Sequence, residues 1–257
     1  MSTQAKSQPA IPVLPNGEAE HKPCWSCGDM RAAYFCSSCG KVQPPAPTDY
    51  FSFFGMPRRL NFDVAALERE MLSLSRRLHP DMYARASEQE QDWSLQQTSK
   101  LNNAYRTLRD PIQRTEYLLR LEGVKPGNAT RQDSGAVSPT ESKKPAAPAD
   151  LLEEVFDLSM QLEEFRASRK AGKEDSALRR ELESASKGFA AKLTALSGDL
   201  KNGWQEWDTL IDGESAGNSP RPEARRRVLN RLAEVLHRRR YIANLMDEIS
   251  TTLSDIG

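Results

Sequence analysis

Pro80 stands in the middle of a long stretch of helical period and decides what that stretch can become. A proline inside a helix has no amide to donate, and its ring collides with the carbonyl of the preceding turn, so the helix must stop before it. Upstream, Val64, Leu67, Met71, Leu74 and Leu78 recur at spacings of three and four; downstream of about Asp92, Leu101, Ala104, Tyr105 and Leu108 do so again. Two amphipathic helices broken by a stiff, exposed Leu78-His79-Pro80-Asp81 loop read as a helical hairpin. The same period runs through Leu178, Leu182, Ala185, Phe189, Leu193, Leu196 and Leu200, and through Val228, Leu232, Val235, Ile242, Met246, Ile249 and Leu253. No segment alternates convincingly as a strand would, and only the cysteine-bearing segment is a candidate for strands. The expected class is all-α.

At 257 residues the chain has room for one or two domains and their linkers. Apolar residues make up 38%, slightly low for a globular chain even after the 14 glycines are added, so part is expected to be unstructured. Residues 1–22 are polar, proline-rich and without period, and read as a disordered arm. Val124–Ala149 carries four prolines, two glycines and five serines or threonines in 26 residues, which reads as a flexible linker at the domain boundary. Asp212–Pro222, with two glycines and two prolines, reads as a loop between helices.

The 36 basic and 36 acidic residues cancel, so no global field steers the chain to nucleic acid or an anionic membrane, and neither is an expected partner. The longest unbroken apolar run, Ala32 to Cys36, is five residues, far short of the roughly 18 a membrane span needs, so a soluble protein is expected. The first 23 residues have only Lys6 and Lys22 as basic groups and no apolar core, matching neither a secretory signal nor an arginine-rich presequence. A bacterial cytoplasm is therefore expected in preference to a mitochondrial matrix.

All four cysteines lie in one short segment as two Cys-x-x-Cys pairs, Cys24 with Cys27 and Cys36 with Cys39. In a reducing compartment such thiols read as metal ligands rather than disulfides. Each pair wraps a tight turn that aims two sulfurs inward, and two facing turns make the tetrahedral cage that zinc takes in closed structural sites. Gly28 and Gly40 each follow a pair by one residue and suit the backbone such a turn requires. One zinc or iron ion per chain is expected, in a module spanning residues 23–43. The alternative is a redox dithiol, which would make Cys24 and Cys27 the working pair of an oxidoreductase.

His79 alone would pass for a surface histidine. Its setting says more: a helix carrying Arg69, Arg76 and Arg77, then His79-Pro80-Asp81, a polar loop, and a second helix with Asn102-Asn103-Ala104-Tyr105. This arrangement resembles a J domain, whose two long helices pack antiparallel and present the tripeptide at the hairpin tip. Adding Asp49-Tyr50-Phe51-Ser52-Phe53-Phe54-Gly55 and Arg109-Asp110-Pro111-Ile112-Gln113-Arg114-Thr115-Glu116-Tyr117-Leu118-Leu119, the sequence resembles the HscB family, J-domain co-chaperones of iron–sulfur cluster assembly, in the variant with an N-terminal four-cysteine metal module. The resemblance implies a J domain over 48–123 and a three-helix C-terminal domain over 150–257 that recognises the cluster scaffold IscU. It also implies that His79, Pro80 and Asp81 engage an HscA/DnaK-type ATPase chaperone and stimulate its hydrolysis, with Arg69, Arg76 and Arg77 as the docking face. Glu68 and Glu70 dilute that face, and the long 124–149 connection departs from the compact junction of the family.

From Leu151, one stripe holds Leu151, Val155, Leu158, Leu162 and Phe165, and a second holds Leu152, Phe156 and Met160, bordered by Glu153, Asp157 and Glu164. A helix apolar on two faces must bury both or offer one to a partner, and the second stripe is open to either reading. Tyr241, one residue off the stripe of Ile242, is equally a surface anchor for the scaffold or an ordinary flank residue. Trp204 and Trp207 read as core. There is no phosphate loop, no Ser/His/Asp set, and only three histidines, His21, His79 and His237, so no enzyme is expected. The competing adaptor reading is a general J-domain co-chaperone for unfolded clients.

Overall fold

A computed structural model of the chain describes residues 23–29, 34–125, 148–172, 175–215, 217 and 222–254. The expected disordered arm, 1–22, and residues 126–147 of the expected linker lie outside the described residues. The chain divides into two compact units, Met1–Arg114 and Thr115–Gly257. The architecture is all-α as expected. Among the described residues the cysteine segment holds only an isolated antiparallel bridge, Phe35 to Val42, and no strand.

In the first unit a single turn, α1 (Tyr50–Phe53), is followed by α2 (Val64–Leu78) and α3 (Glu88–Arg109). Asp49 and Asp63 cap the first two by accepting from the amides of Ser52 and Ala65, each at 2.9 Å. The helix α3 starts several residues before Asp92, because Ser87 and Glu90 form a capping box that the apolar period does not reveal. Helices α2 and α3 pack as the hairpin that Pro80 demands. They bury Leu67, Leu74 and Leu78 together with Leu101, Ala104 and Leu108, and α1 adds Phe51 and Phe53 to the core. Val64, placed on the apolar stripe by spacing, is exposed in the first turn of α2.

Helix α4 (Pro111–Leu121) begins in the first unit and continues into the second, which then forms α5 (Leu152–Lys170), α6 (Ser176–Ser215) and α7 (Pro222–Ser254). Helices α6 and α7 pack along their length and α5 lies against both, a three-helix bundle. At 40 residues α6 is about 60 Å long. Gly203 lets α7 come close, since a Cβ there would stand 2.6 Å from Cδ2 of Leu232. Trp204 and Trp207 are buried as expected, and the Trp204 indole donates to the Thr115 hydroxyl at 2.9 Å, tying the part of α4 from Thr115 onward to α6. The loop read at Asp212–Pro222 is shorter than expected, because α6 continues through Ser215. Ile211 is buried in that last stretch, and Glu214 pairs with Arg225 of α7, so tertiary contacts hold a turn that composition alone would break.

Candidate functional site: a four-cysteine cage, a hairpin tip and an apolar helix face

The two cysteine pairs fold as matching knuckles. In each, the amide of the following glycine donates to the carbonyl of the first cysteine at 2.9 Å, Gly28 to Cys24 and Gly40 to Cys36. Both glycines have φ above +70°, a region an L side chain would resist, which is why glycine stands at both places. The knuckles face each other, with Sγ–Sγ distances of 3.7 Å between Cys24 and Cys39 and 3.5 Å between Cys27 and Cys36, and all four sulfurs lie within 4.8 Å of one another. Four sulfurs each about 2.3 Å from a central zinc ion would stand about 3.8 Å apart, so these residues fit a tetrahedral metal. Amide groups of Ser26 and the Gln43 side chain each donate to the Cys24 sulfur at 3.4 Å, orienting a ligand as outer-sphere donors do.

Without a metal the thiols ionise unequally. Burial pushes the Cys24 thiol up, but the amides of Cys27 and Ser26 and the hydrogen bonds from Cys39 and Gln43 outweigh it and bring it down to about 6. The Asp29 amide favours the Cys27 thiolate, yet Cys36, burial, Cys39 and Cys24 together drive that thiol up to about 12. A bound cation would remove this mutual opposition.

The module is docked on the α1–α3 unit. Its Tyr34 ring lies 4.8 Å from that of Phe53 and its hydroxyl donates to the Phe53 carbonyl. Burial, with the charge of Glu70 adding, raises the Tyr34 hydroxyl well above its usual range. Trp25 meets Trp93 edge-on at 5.5 Å, and Gln97 donates to the Gln43 carbonyl at 2.6 Å.

At the hairpin tip, the last carbonyl of α2, that of Leu78, accepts from the hydroxyls of Ser94 at 2.6 Å and Thr98 at 2.9 Å. Both donors are on α3, so the second helix clamps the end of the first. Pro80 opens a 3-10 turn, Pro80–Tyr83. The His79 Nδ1 accepts from the Asp81 amide at 3.3 Å and lies 3.5 Å from the Asp81 carboxylate. Both side chains reach solvent, His79 at 53% and Asp81 at 89% exposure. Met82, which sequence reasoning passed over, is 71% exposed beside them; no periodic pattern marks a residue in a turn.

The three arginines of α2 are not equivalent. Arg69 reaches Asp63 at 3.4 Å with both groups exposed. Arg76 is exposed and pairs with no carboxylate among the described residues. Arg77 stacks its guanidinium on the ring of Phe35, 4.0 Å from the centroid. Phe35 is a second residue that sequence reasoning left out, because its partner is distant in the chain.

On α5 the two stripes part company. Leu151 before the helix and Leu158, Leu162 and Phe165 within it are buried, and Val155 is half-buried. Leu152, Phe156 and Met160 are exposed at 54%, 65% and 54%. The second stripe is therefore not bundle core, and Glu153, Asp157 and Glu164 stand exposed around it. Tyr241 is half-buried on α7, its hydroxyl raised by burial and by the charge of Glu248. No helix among the described residues is long and apolar enough to cross a membrane.

The sequence matches no protein-family model. Over 114 residues it is 39% identical to the mouse iron–sulfur cluster co-chaperone protein HscB, covering 42% of this chain and 49% of the mouse protein. Over 151 residues it is 36% identical to the co-chaperone protein HscB homolog of Bordetella avium, covering 59% of this chain and 80% of that protein. The chain thus spans about half the length of the mouse relative and four fifths of the bacterial one. Among solved structures it is similar to the crystal structure of human co-chaperone protein HscB, with a TM-score of 0.52 and 25% identity over 89% of this chain and 96% of that one. With the hairpin, the bundle and the cysteine cage in place, this likeness across most of a bacterial relative shows that the chain belongs to the HscB family of co-chaperones.

Proposed function

We propose that the protein is an adaptor that carries an IscU-type iron–sulfur cluster scaffold to an HscA/DnaK-type ATPase chaperone and stimulates the chaperone's ATP hydrolysis, promoting cluster transfer. The observation that carries this reading is the exposure of His79 and Asp81 on a clamped hairpin tip beside α2. A rigid tip loses little conformational freedom on docking, so it suits a contact that must act on a partner. In this reading residues 48–123 work as the J domain, His79, Pro80 and Asp81 touch the chaperone, and Arg69, Arg76 and Arg77 attract an acidic patch on it. Residues 150–257 work as the scaffold-binding domain beyond a 124–149 linker. Leu152, Phe156 and Met160 supply the apolar anchor there, with Tyr241 as a further contact.

Cys24, Cys27, Cys36 and Cys39 would hold one zinc or iron ion, which supplies cross-linking and leaves no open coordination position for catalysis. The chain itself performs no reaction; the hydrolysis belongs to its partner. A reducing compartment, the bacterial cytoplasm, suits four free thiols. The exposed stripe on α5 equally suits a general co-chaperone for unfolded clients, so the test must compare the two. Steady-state ATP hydrolysis by a purified DnaK-type chaperone is measured with this protein alone, with an IscU-type scaffold, and with an unfolded peptide. Stimulation enhanced by the scaffold and not by the peptide is expected. An equal response to both favours the general reading, and no stimulation overturns both.

A further inference from the structure

Three features place Phe35 and Arg77 at the junction of the metal module and the hairpin tip. Phe35 immediately precedes Cys36, pairs across to Val42 in the isolated bridge, and is flanked by the Tyr34 carbonyl, which accepts from Gln43 at 2.9 Å. The knuckle itself closes through the Cys36 amide on the Lys41 carbonyl at 2.9 Å. Phe35 is thus the entry residue of the second knuckle, and closure of that knuckle orders the backbone that carries its ring. Arg77 is two residues before His79, and its own carbonyl accepts from the Tyr83 hydroxyl at 3.1 Å, tying it to the turn that carries the tripeptide. Among the described residues, Arg77 is the α2 arginine that lies over an aromatic ring of the module.

A guanidinium stacked on an aromatic ring uses its face and leaves its N–H edge free, so a stacked arginine can still grip a carboxylate. Stacking also removes the rotamer freedom that an exposed arginine would otherwise lose on binding. Held this way, Arg77 is preorganised for an acidic partner, whereas Arg76 stands exposed with no carboxylate partner among the described residues and Arg69 is shared with Asp63.

We propose that Phe35 is a positioning residue for chaperone docking: through its stack on Arg77, closure of the four-cysteine module sets the affinity of the hairpin face for the acidic surface of the ATPase chaperone. The proposal rests on the docking role of α2 given above. It makes the cysteine module a contributor to partner binding, and predicts that loss of the metal weakens docking without touching the tripeptide.

The test uses the full chain, loaded with zinc, and measures its affinity for an immobilised DnaK-type chaperone with ATP, over a series of salt concentrations. Phe35→Leu keeps an apolar side chain and loses the ring face; Phe35→Ala removes both; Phe35→Tyr restores the ring. A cation–π contact at an exposed site corresponds to roughly a 2- to 5-fold change in affinity. Phe35→Leu and Phe35→Ala are expected to bind about that much more weakly, with one zinc per chain retained and the salt slope unchanged, and Phe35→Tyr to bind as the parent does. Arg77→Ala should lower the salt slope as well as the affinity, and adding Phe35→Leu to it should cost nothing further. Chelation of the zinc should weaken the parent by the same factor and leave Arg77→Ala unaffected. Parent-like affinity in zinc-loaded Phe35→Leu overturns the proposal, as does a further loss when it is combined with Arg77→Ala. If Arg77→Ala itself binds like the parent, the docking role of that arginine fails and the proposal with it, whereas a failure of the tripeptide reading is told apart by His79→Gln retaining full stimulation.

Discussion

Lys41 of the cysteine module donates to the carboxylate of Glu90, 2.8 Å away in the first turn of α3. Glu90 is almost fully buried although it lies in a run of polar residues, while Lys41 remains half exposed. The same carboxylate accepts from the Ser87 hydroxyl at 2.9 Å and closes the capping box with the Ser87 amide. One acidic side chain therefore serves both the start of a hairpin helix and the attachment of the metal module.

This arrangement predicts an acid-sensitive link. The Lys41 hydrogen bond, helped by Ser87 and opposed by burial, holds the Glu90 carboxyl below the usual glutamate range. A lowered folded value means that the contribution is complete above the unfolded value of about 4.3 and is lost as pH falls through the folded one. Glu90→Gln is expected to cost roughly 1 kcal/mol at neutral pH, a modest figure because Lys41 is partly hydrated. Thermal unfolding from about pH 7 down to about pH 3 should show a shallower acid-side loss in the variant than in the parent. Parallel curves would mean that Glu90 does not carry the effect.

The cage predicts one metal ion per chain. Elemental analysis under reducing conditions should find about one zinc or iron, falling well below that in Cys36→Ser, whose sulfur is buried. Chelation should open the knuckles and change the fluorescence of Trp25, which meets Trp93 at 5.5 Å, while far-ultraviolet dichroism keeps its helical signal. Metal-free protein with an unchanged Trp25 environment would show that the module is held by its docking contacts alone.

For the tripeptide, His79→Gln should leave thermal stability within about 0.5 kcal/mol, since an exposed turn residue contributes little to the folded state. The same variant should lose stimulation of the chaperone's ATP hydrolysis in a coupled assay. Retained stimulation would sever this turn from the proposed activity.

The α5 stripe separates binding from stability. Replacing Leu152, Phe156 and Met160 together with alanine should weaken scaffold binding by several kcal/mol while barely moving the unfolding temperature, because all three are exposed. Leu158→Ala, 2% exposed on the opposite stripe, should instead cost about 2–5 kcal/mol of stability. Calorimetric binding and thermal unfolding on both variants decide it, and a triple variant that binds the scaffold normally would remove this face from the site.

Gly203 tests the α6–α7 contact. Alanine would gain about 1 kcal/mol of helix propensity. Its Cβ would also press on the Cδ2 of Leu232, which is fully buried, at a cost of about 1–3 kcal/mol. A net loss of up to about 2 kcal/mol is expected in denaturant titration. A more stable variant would show that Leu232 can yield.

Spacing alone made several features legible. Two Cys-x-x-Cys pairs specify a cage because ligand spacing is local, and the glycines after them mark the turn each pair needs. Pro80 specifies the hairpin because the restriction it imposes is covalent. The apolar stripes of α2, α6 and α7 name most of the core, since a helix face that recurs every three or four residues has to be covered by something. Where composition argued for a loop at Asp212, the buried Ile211 and the Arg225 pairing prevailed, because local preference is weak against tertiary contact.

What only the tertiary structure decided is which surfaces are covered. Helix α5 carries two apolar stripes, and its own sequence leaves open whether its neighbours bury the shorter one as well; packing against α6 and α7 took Leu158, Leu162 and Phe165 and left Leu152, Phe156 and Met160 in water. Glu90 reads as a solvated charge until Lys41, 49 residues away, is brought to it. Arg77 likewise joins Arg69 and Arg76 in one basic cluster by sequence, and becomes distinct only because Phe35, on a separate module, stacks against it. Periodicity records the demand for burial along one segment, whereas the partner that meets the demand, or leaves it unmet, comes from chain far away.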